Sequence, residues 1–100
     1  MLEQLPPVHP GEVLAFDFLE PMGLSQNALA IELGIASGRV NEIVKGKRAV
    51  TADTALRLSR YFGTTAGFWL NLQTRYDLDV AEAQLAGQLD RIRPRVAVGA

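Results

Sequence analysis

Residues 26–43 read QNALAIELGIASGRVNEI, and the fold turns on this stretch. Leu29, Ala30 and Leu33 recur at helical spacing, and Gly34 follows as a residue that tolerates positive φ. After Ile35, Val40 and Ile43 repeat the inward pattern and leave Arg39, Asn41, Glu42 and Lys45 outward. Two short helices meeting at a sharp turn need a small side chain where they cross, and Ala30 supplies it. Leu29, Leu33, Ile35, Val40 and Ile43 then lock the pair to a core at a fixed angle. The outer face of the second helix stays polar. This is the arrangement of a helix-turn-helix, whose second helix enters the major groove of DNA. The bland alternative is a helical hairpin that merely builds a bundle, and the flanks argue against it. Ser25, Gln26 and Asn27 sit at a helix N-terminus, where amides and side chains can hold a phosphate. Lys45, Lys47 and Arg48 follow the second helix, where they would meet the DNA backbone on its other side.

Outward from this motif, the chain reads as helices and stops. Pro6 and Pro7 make the opening an extended lead-in. Pro10, Gly11 and Glu12 suit the start of a helix whose Val13, Leu14, Phe16, Phe18 and Leu19 form a broad apolar stripe, with Pro21 and Gly23 as its stop. Ser25 caps the first motif helix, and Gly46 fits the end of a second one over about residues 37–45. Thr51 caps a fourth helix, carrying apolar Ala55, Leu56, Leu58, Tyr61 and Phe62, that Gly63 ends. Thr65 caps a fifth through Phe68, Trp69, Leu70, Leu72 and Tyr76, and a last amphipathic stretch runs from Val80 to about Ile92. No strand-like alternation and no repeat appears. The expectation is an all-α, five- to six-helix bundle of the lambda-repressor-like helix-turn-helix type. Residues 1–10 form the lead-in, 11–76 the DNA-binding domain, and 77–100 a C-terminal helix and tail suited to dimerisation.

The chain has 100 residues, 48% of them hydrophobic. Surface scaling predicts a folded area of about 5,600 Å² with roughly 65% of the chain's surface buried, enough for one core. Full disorder is excluded by that apolar content. Without cysteine there is no disulfide framework or thiolate metal site, and His9, the single histidine, excludes a two-histidine site. No apolar run approaches a membrane span, and the N-terminus lacks a signal-peptide pattern, so a cytoplasmic domain is expected. The net charge of −1 hides an uneven distribution: −4 over residues 1–22, +2 over 23–50, +2 over 51–76 and −1 over 77–100. A basic centre between acidic ends can hold an anion despite the overall balance.

With HPGEVL and LEPMGLSQ at the start, VNEIVKGKRAVTADTALRLSRYFG in the middle and FWLNLQTRYDL afterwards, the sequence resembles the HigA family of type II antitoxins, of the Xre helix-turn-helix type. The likeness covers roughly residues 8–95. It implies a homodimeric autorepressor that reads a palindromic operator, and that also binds and neutralises a HigB toxin, a small ribosome-dependent mRNA endonuclease. The rival of the same class is a stand-alone Xre-type repressor with no toxin. Ser37-Gly38 departs from relatives that often carry larger polar or basic side chains there, and Gly38 has no side chain with which to read a base.

The DNA-binding residues expected are Ser25, Gln26, Asn27, Ser37, Gly38, Arg39, Asn41, Glu42, Lys45, Lys47 and Arg48. Arg39 can pair bidentately with a guanine edge, while Asn41 and Glu42 can address adenine and cytosine edges. Glu42 has two other uses, pairing with Lys45 or orienting Arg39. Lys45, Lys47 and Arg48 suit phosphates better than bases, because flexible cations carry little geometric information. His9 near Glu12 lacks a nucleophile or oxyanion donors, so it reads as a residue at a helix start, and no catalysis or cofactor is expected. Trp69, Phe68 and Tyr76 read as core, with a dimer seam as the second reading. The acidic first 22 residues read as a solvated face or, more sharply, as a surface for a basic toxin.

Overall fold

The computed structural model describes residues 6–96, so the parts of the lead-in at 1–5 and of the tail at 97–100 lie outside the described residues. All the regular structure described is helical. Helix α1 covers residues 10–22 as three consecutive segments: an α-helical turn Pro10–Val13, a π-helical stretch Leu14–Leu19 and a closing turn Glu20–Met22. It is followed by α2 (Gln26–Leu33), α3 (Ser37–Val44), α4 (Ala52–Phe62) and α5 (Ala66–Leu89).

His9 starts α1 through a capping box. Its Nδ1 accepts from the Gly11 N–H at 2.9 Å, and Glu12 Oε2 accepts from the His9 N–H at 3.0 Å. Pro21 does not stop this helix as its type suggested. The helix runs one residue past it and ends at Gly23, which takes the left-handed conformation at φ 60°. Proline has no N–H for the Asp17 carbonyl and its ring crowds that oxygen. The preceding turns open to π spacing, and the Glu20 N–H reaches back five residues to the Ala15 carbonyl. The wider turn also splits the expected stripe. Leu14 and Leu19 are buried, Phe18 packs between Phe62 and Trp69 at 4.8 and 5.1 Å, and Phe16 turns out to solvent.

Ser25, Thr51 and Thr65 cap α2, α4 and α5, each accepting from the amide three residues on. Ala30 is buried at the α2–α3 crossing, and Gly34 makes the turn at φ 71°. The fifth and sixth expected helices are one. Nothing between Tyr76 and Val80 breaks the helix, since Asp77, Leu78 and Asp79 all tolerate it, and Arg75 bridges to Asp79 one turn on.

The core gathers Leu14, Leu29, Val40, Ile43, Leu58 and Trp69. Trp69 donates its indole N–H to Thr64 Oγ1 at 2.8 Å, and buried Gln73 accepts the Val50 N–H at 2.7 Å. The second bond ties α5 to the loop after α3, and the first closes the connection between α4 and α5 over the start of α5. Beyond Ala81, every described residue is exposed. The chain exposes 7401 Å² in all, well above the roughly 5,600 Å² that size alone predicts. Leu56 and Tyr61 on α4, expected among the apolar set, are also largely open to solvent.

Candidate nucleic-acid interface

Helix α3 is held at two points. Gly11 sits against its last turn so closely that a Cβ there would lie 1.8 Å from the Ile43 carbonyl oxygen. At mid-helix, Asn41 Nδ2 donates to Gln26 Oε1 at 3.0 Å and links α3 to the start of α2. Val40 and Ile43 face the core, so the opposite face stays wet.

On that face Arg39 is not a free cation. Its Nη2 lies 3.1 Å from Asp53 Oδ1, in the first turn of α4. The same carboxylate oxygen accepts from Arg57 Nε at 2.8 Å. Arg57 Nη1 donates to the Leu33 carbonyl at 2.7 Å and lies 3.5 Å from that of Gly34. Glu42 pairs neither with Lys45 nor with Arg39. It accepts from Arg48 Nε at 2.8 Å and Nη2 at 2.6 Å, because the turn at Gly46, with φ 75°, folds the chain back toward α3.

Gly38, Arg39, Asn41, Glu42, Arg48 and Arg57 line one open groove of about 630 Å³. Ser37 opens α3 in its exposed first turn, and nothing stands within 4 Å of a Cβ at Gly38. Ser25 and Gln26 line a second recess with Glu20, and Asn27 is exposed beside them. Ser25 Oγ accepts the Ala28 N–H at 3.0 Å, which leaves its own O–H to donate outward. Lys45 and Lys47 are exposed and make no ion pair among the described residues, which leaves them to meet phosphates. Five cations (Arg39, Lys45, Lys47, Arg48, Arg57) stand against Glu42 and Asp53, a local charge of +3.

Sequence reasoning missed Arg57 and Asp53. Their i,i+4 spacing on α4 was visible but reads as an ordinary exposed pair, and only the fold carries it to the turn. His9 acts at the end of α3 without touching the groove, its ring 3.7 Å from a Cβ position at Gly46 and edge-on to Tyr76 at 4.8 Å. Burial pushes its pKa below the usual 6.5, against the opposing pull of Glu12 and Asp77.

A family described as "Helix-turn-helix" matches residues 17–69. Virulence-associated protein I of Dichelobacter nodosus is 57% identical over 79 residues, which make up 79% of this chain and 73% of that protein. Antitoxin HigA-1 of Vibrio cholerae serotype O1 is 42% identical over 72 residues, covering 72% of this chain and 68% of its own. The solved structure described as "Pseudomonas aeruginosa antitoxin HigA with higBA promoter" superposes with a TM-score of 0.87 at 44% identity, over 90% of this chain and 99% of that one. With the helix-turn-helix in place and the likeness spanning nearly the whole of a solved HigA, the chain belongs to the HigA-type antitoxins of the helix-turn-helix family, a DNA-binding and non-enzymatic group.

Proposed function

We propose that this antitoxin represses its own operon as a cytoplasmic homodimer, and that it binds and neutralises a HigB-type ribosome-dependent mRNA endonuclease. The observation that carries the DNA half is the α3 face, where Arg39, Asn41 and Glu42 share one open groove, followed by exposed Lys45 and Lys47, which make no ion pair among the described residues. Ser25, Gln26, Asn27, Lys45, Lys47 and Arg48 take the phosphates on either side, and Ser37, Gly38, Arg39, Asn41 and Glu42 approach the bases. The solved Pseudomonas aeruginosa relative, described with a promoter, supports the same use here.

One such helix reads too few base pairs to be selective, so two copies are needed about one helical turn (~34 Å) apart. Leu78, Leu85 and Leu89 lie exposed at seven- and four-residue steps along the far half of α5, with exposed Ile92 three residues past Leu89, and they suit the seam. The toxin half rests on the family. Co-expression with the neighbouring gene tests both halves. Growth rescue, a co-purifying complex and a two-half-site footprint on the upstream promoter are expected. A footprint without any toxic neighbour would leave a stand-alone repressor, and a strict monomer with one-half-site footprints would refute the dimer.

A further inference from the structure

Phosphate affinity alone would want no carboxylate drawing on the groove's arginines, yet Asp53 stands against Arg39 from beside the groove, with its side chain 54% exposed. The first turn of α4 already favours an acid there, because a helix N-terminus stabilises negative charge without any arginine. Asp53 instead joins two arginines from different elements. Arg57 is fixed from behind by the turn carbonyl of Leu33 at 2.7 Å, and it holds the Asp53 oxygen at 2.8 Å. That oxygen in turn holds Arg39 Nη2 at 3.1 Å. A polar strut therefore runs from the Gly34 turn through Arg57 and Asp53 to the tip of Arg39.

We infer that Asp53 is a positioning residue for base selection, holding the Arg39 guanidinium toward the groove before DNA arrives. The inference rests on Arg39 being a base reader, as proposed above. One N–H of the guanidinium meets Asp53, and the remaining N–H groups are left for a base edge. An arginine already ordered in the free protein loses less rotamer freedom on binding, which corresponds to about a two- to twelvefold gain in affinity. The same carboxylate repels phosphates, so it weakens binding to every sequence. Asp53 thus widens the gap between the correct sequence and all others, because only the correct one recovers the loss through an ordered Arg39.

The test uses the full chain on its own upstream promoter fragment and on a random duplex of equal length. Arg39→Ala should lose about 5- to 150-fold on the promoter and little on random DNA. Asp53→Asn should lose about two- to twelvefold on the promoter. It should leave random binding equal or tighter, with a salt slope steeper by about one. In the Arg39→Ala background, Asp53→Asn should cause no further promoter loss. Asp53→Glu keeps the charge on a longer stem, so it should lose promoter affinity while random binding and salt slope stay at the wild-type level. That variant carries the test if thermal unfolding shows Asp53→Asn to be misfolded.

Parallel shifts on both DNAs, or full additivity of the two substitutions, would overturn the positioning role while leaving Arg39 a reader. An Arg39→Ala variant that weakens both DNAs alike would overturn the reader assignment, and the positioning role with it.

Discussion

Gly11→Ala is the sharpest perturbation of how α3 is placed. The added Cβ would stand 1.8 Å from the Ile43 carbonyl oxygen, 2.7 Å from its carbon and 3.0 Å from the Val44 Cα. All three atoms are backbone, so no side chain can swing aside. Restoring an ordinary contact of 3.4 Å moves one helix by roughly 1.6 Å from the other. Overpacking alone costs about 1–3 kcal/mol. A shift of that size also loosens Leu14, which is 1% exposed and worth about 1.5–3 kcal/mol when fully buried. A total of about 2.5–6 kcal/mol should lower the melting temperature by at least about 10 °C, at 4–8 °C per kcal/mol for a domain of this size. Gly38→Ala is the control, because its Cβ meets nothing within 4 Å. It should raise stability by up to about 1 kcal/mol through helix propensity. The assay is thermal unfolding followed by circular dichroism. A Gly11→Ala protein melting within about 4 °C of wild type would refute the close approach of α1 to α3.

Three further outcomes are expected. Lys45→Ala or Lys47→Ala should weaken promoter and random DNA alike and reduce the salt slope by roughly one, read by fluorescence anisotropy over a salt series. Asp17→Lys with Glu20→Lys, both on exposed positions of α1, should slow association with a basic toxin most at low salt and leave the fold intact, as stopped-flow mixing would show. The folded His9 has its pKa below 6.5, so the unfolded chain binds more protons in that window. Its stabilising contribution is complete above pH 6.5 and is lost as pH falls through the folded value. Unfolding midpoints between pH 7 and 5 should therefore decline less in His9→Asn, which keeps a capping acceptor without the titration.

Local chemistry made most of the helices legible. Ser25, Thr51 and Thr65 are caps by their own side chains, and Gly34, Gly46 and Gly63 take positive φ where each helix ends. The misses share a cause, which is competition between a local rule and its surroundings. Pro21 brings the clash of an interior proline, but a π-helical stretch absorbs it and the helix survives one residue longer. Between Tyr76 and Val80 no residue marks a break, so a half packed on the core and a half exposed beyond Ala81 are one helix. At the interface, residue types and spacing selected Arg39, Asn41 and Glu42. Their partners Asp53, Gln26 and Arg48 lie 6–15 residues away, and only the packed turn brings them within reach.

The two ends of α3 are therefore held by different physics. At its last turn the constraint is steric: Gly11 lies on the Ile43 backbone, and His9 closes over Gly46 while its ring meets Tyr76 of α5. Such close-packed contact resists displacement and shows itself as stability. From its first turn to its middle, at Arg39 and Asn41, the constraint is polar. Asn41 to Gln26 and Arg39 to Asp53 are part-exposed bonds, each of them contributing little to folding. What they fix is direction, and direction is what separates a base edge from a phosphate. Substitutions behind α3 should consequently lower the melting temperature before they alter sequence preference. Substitutions around Asp53 should alter preference with the melting temperature nearly unchanged. A variant set in which the two readouts moved together at both ends would mean that α3 is held as a single unit, and the division drawn from Gly11 and Asp53 would fall.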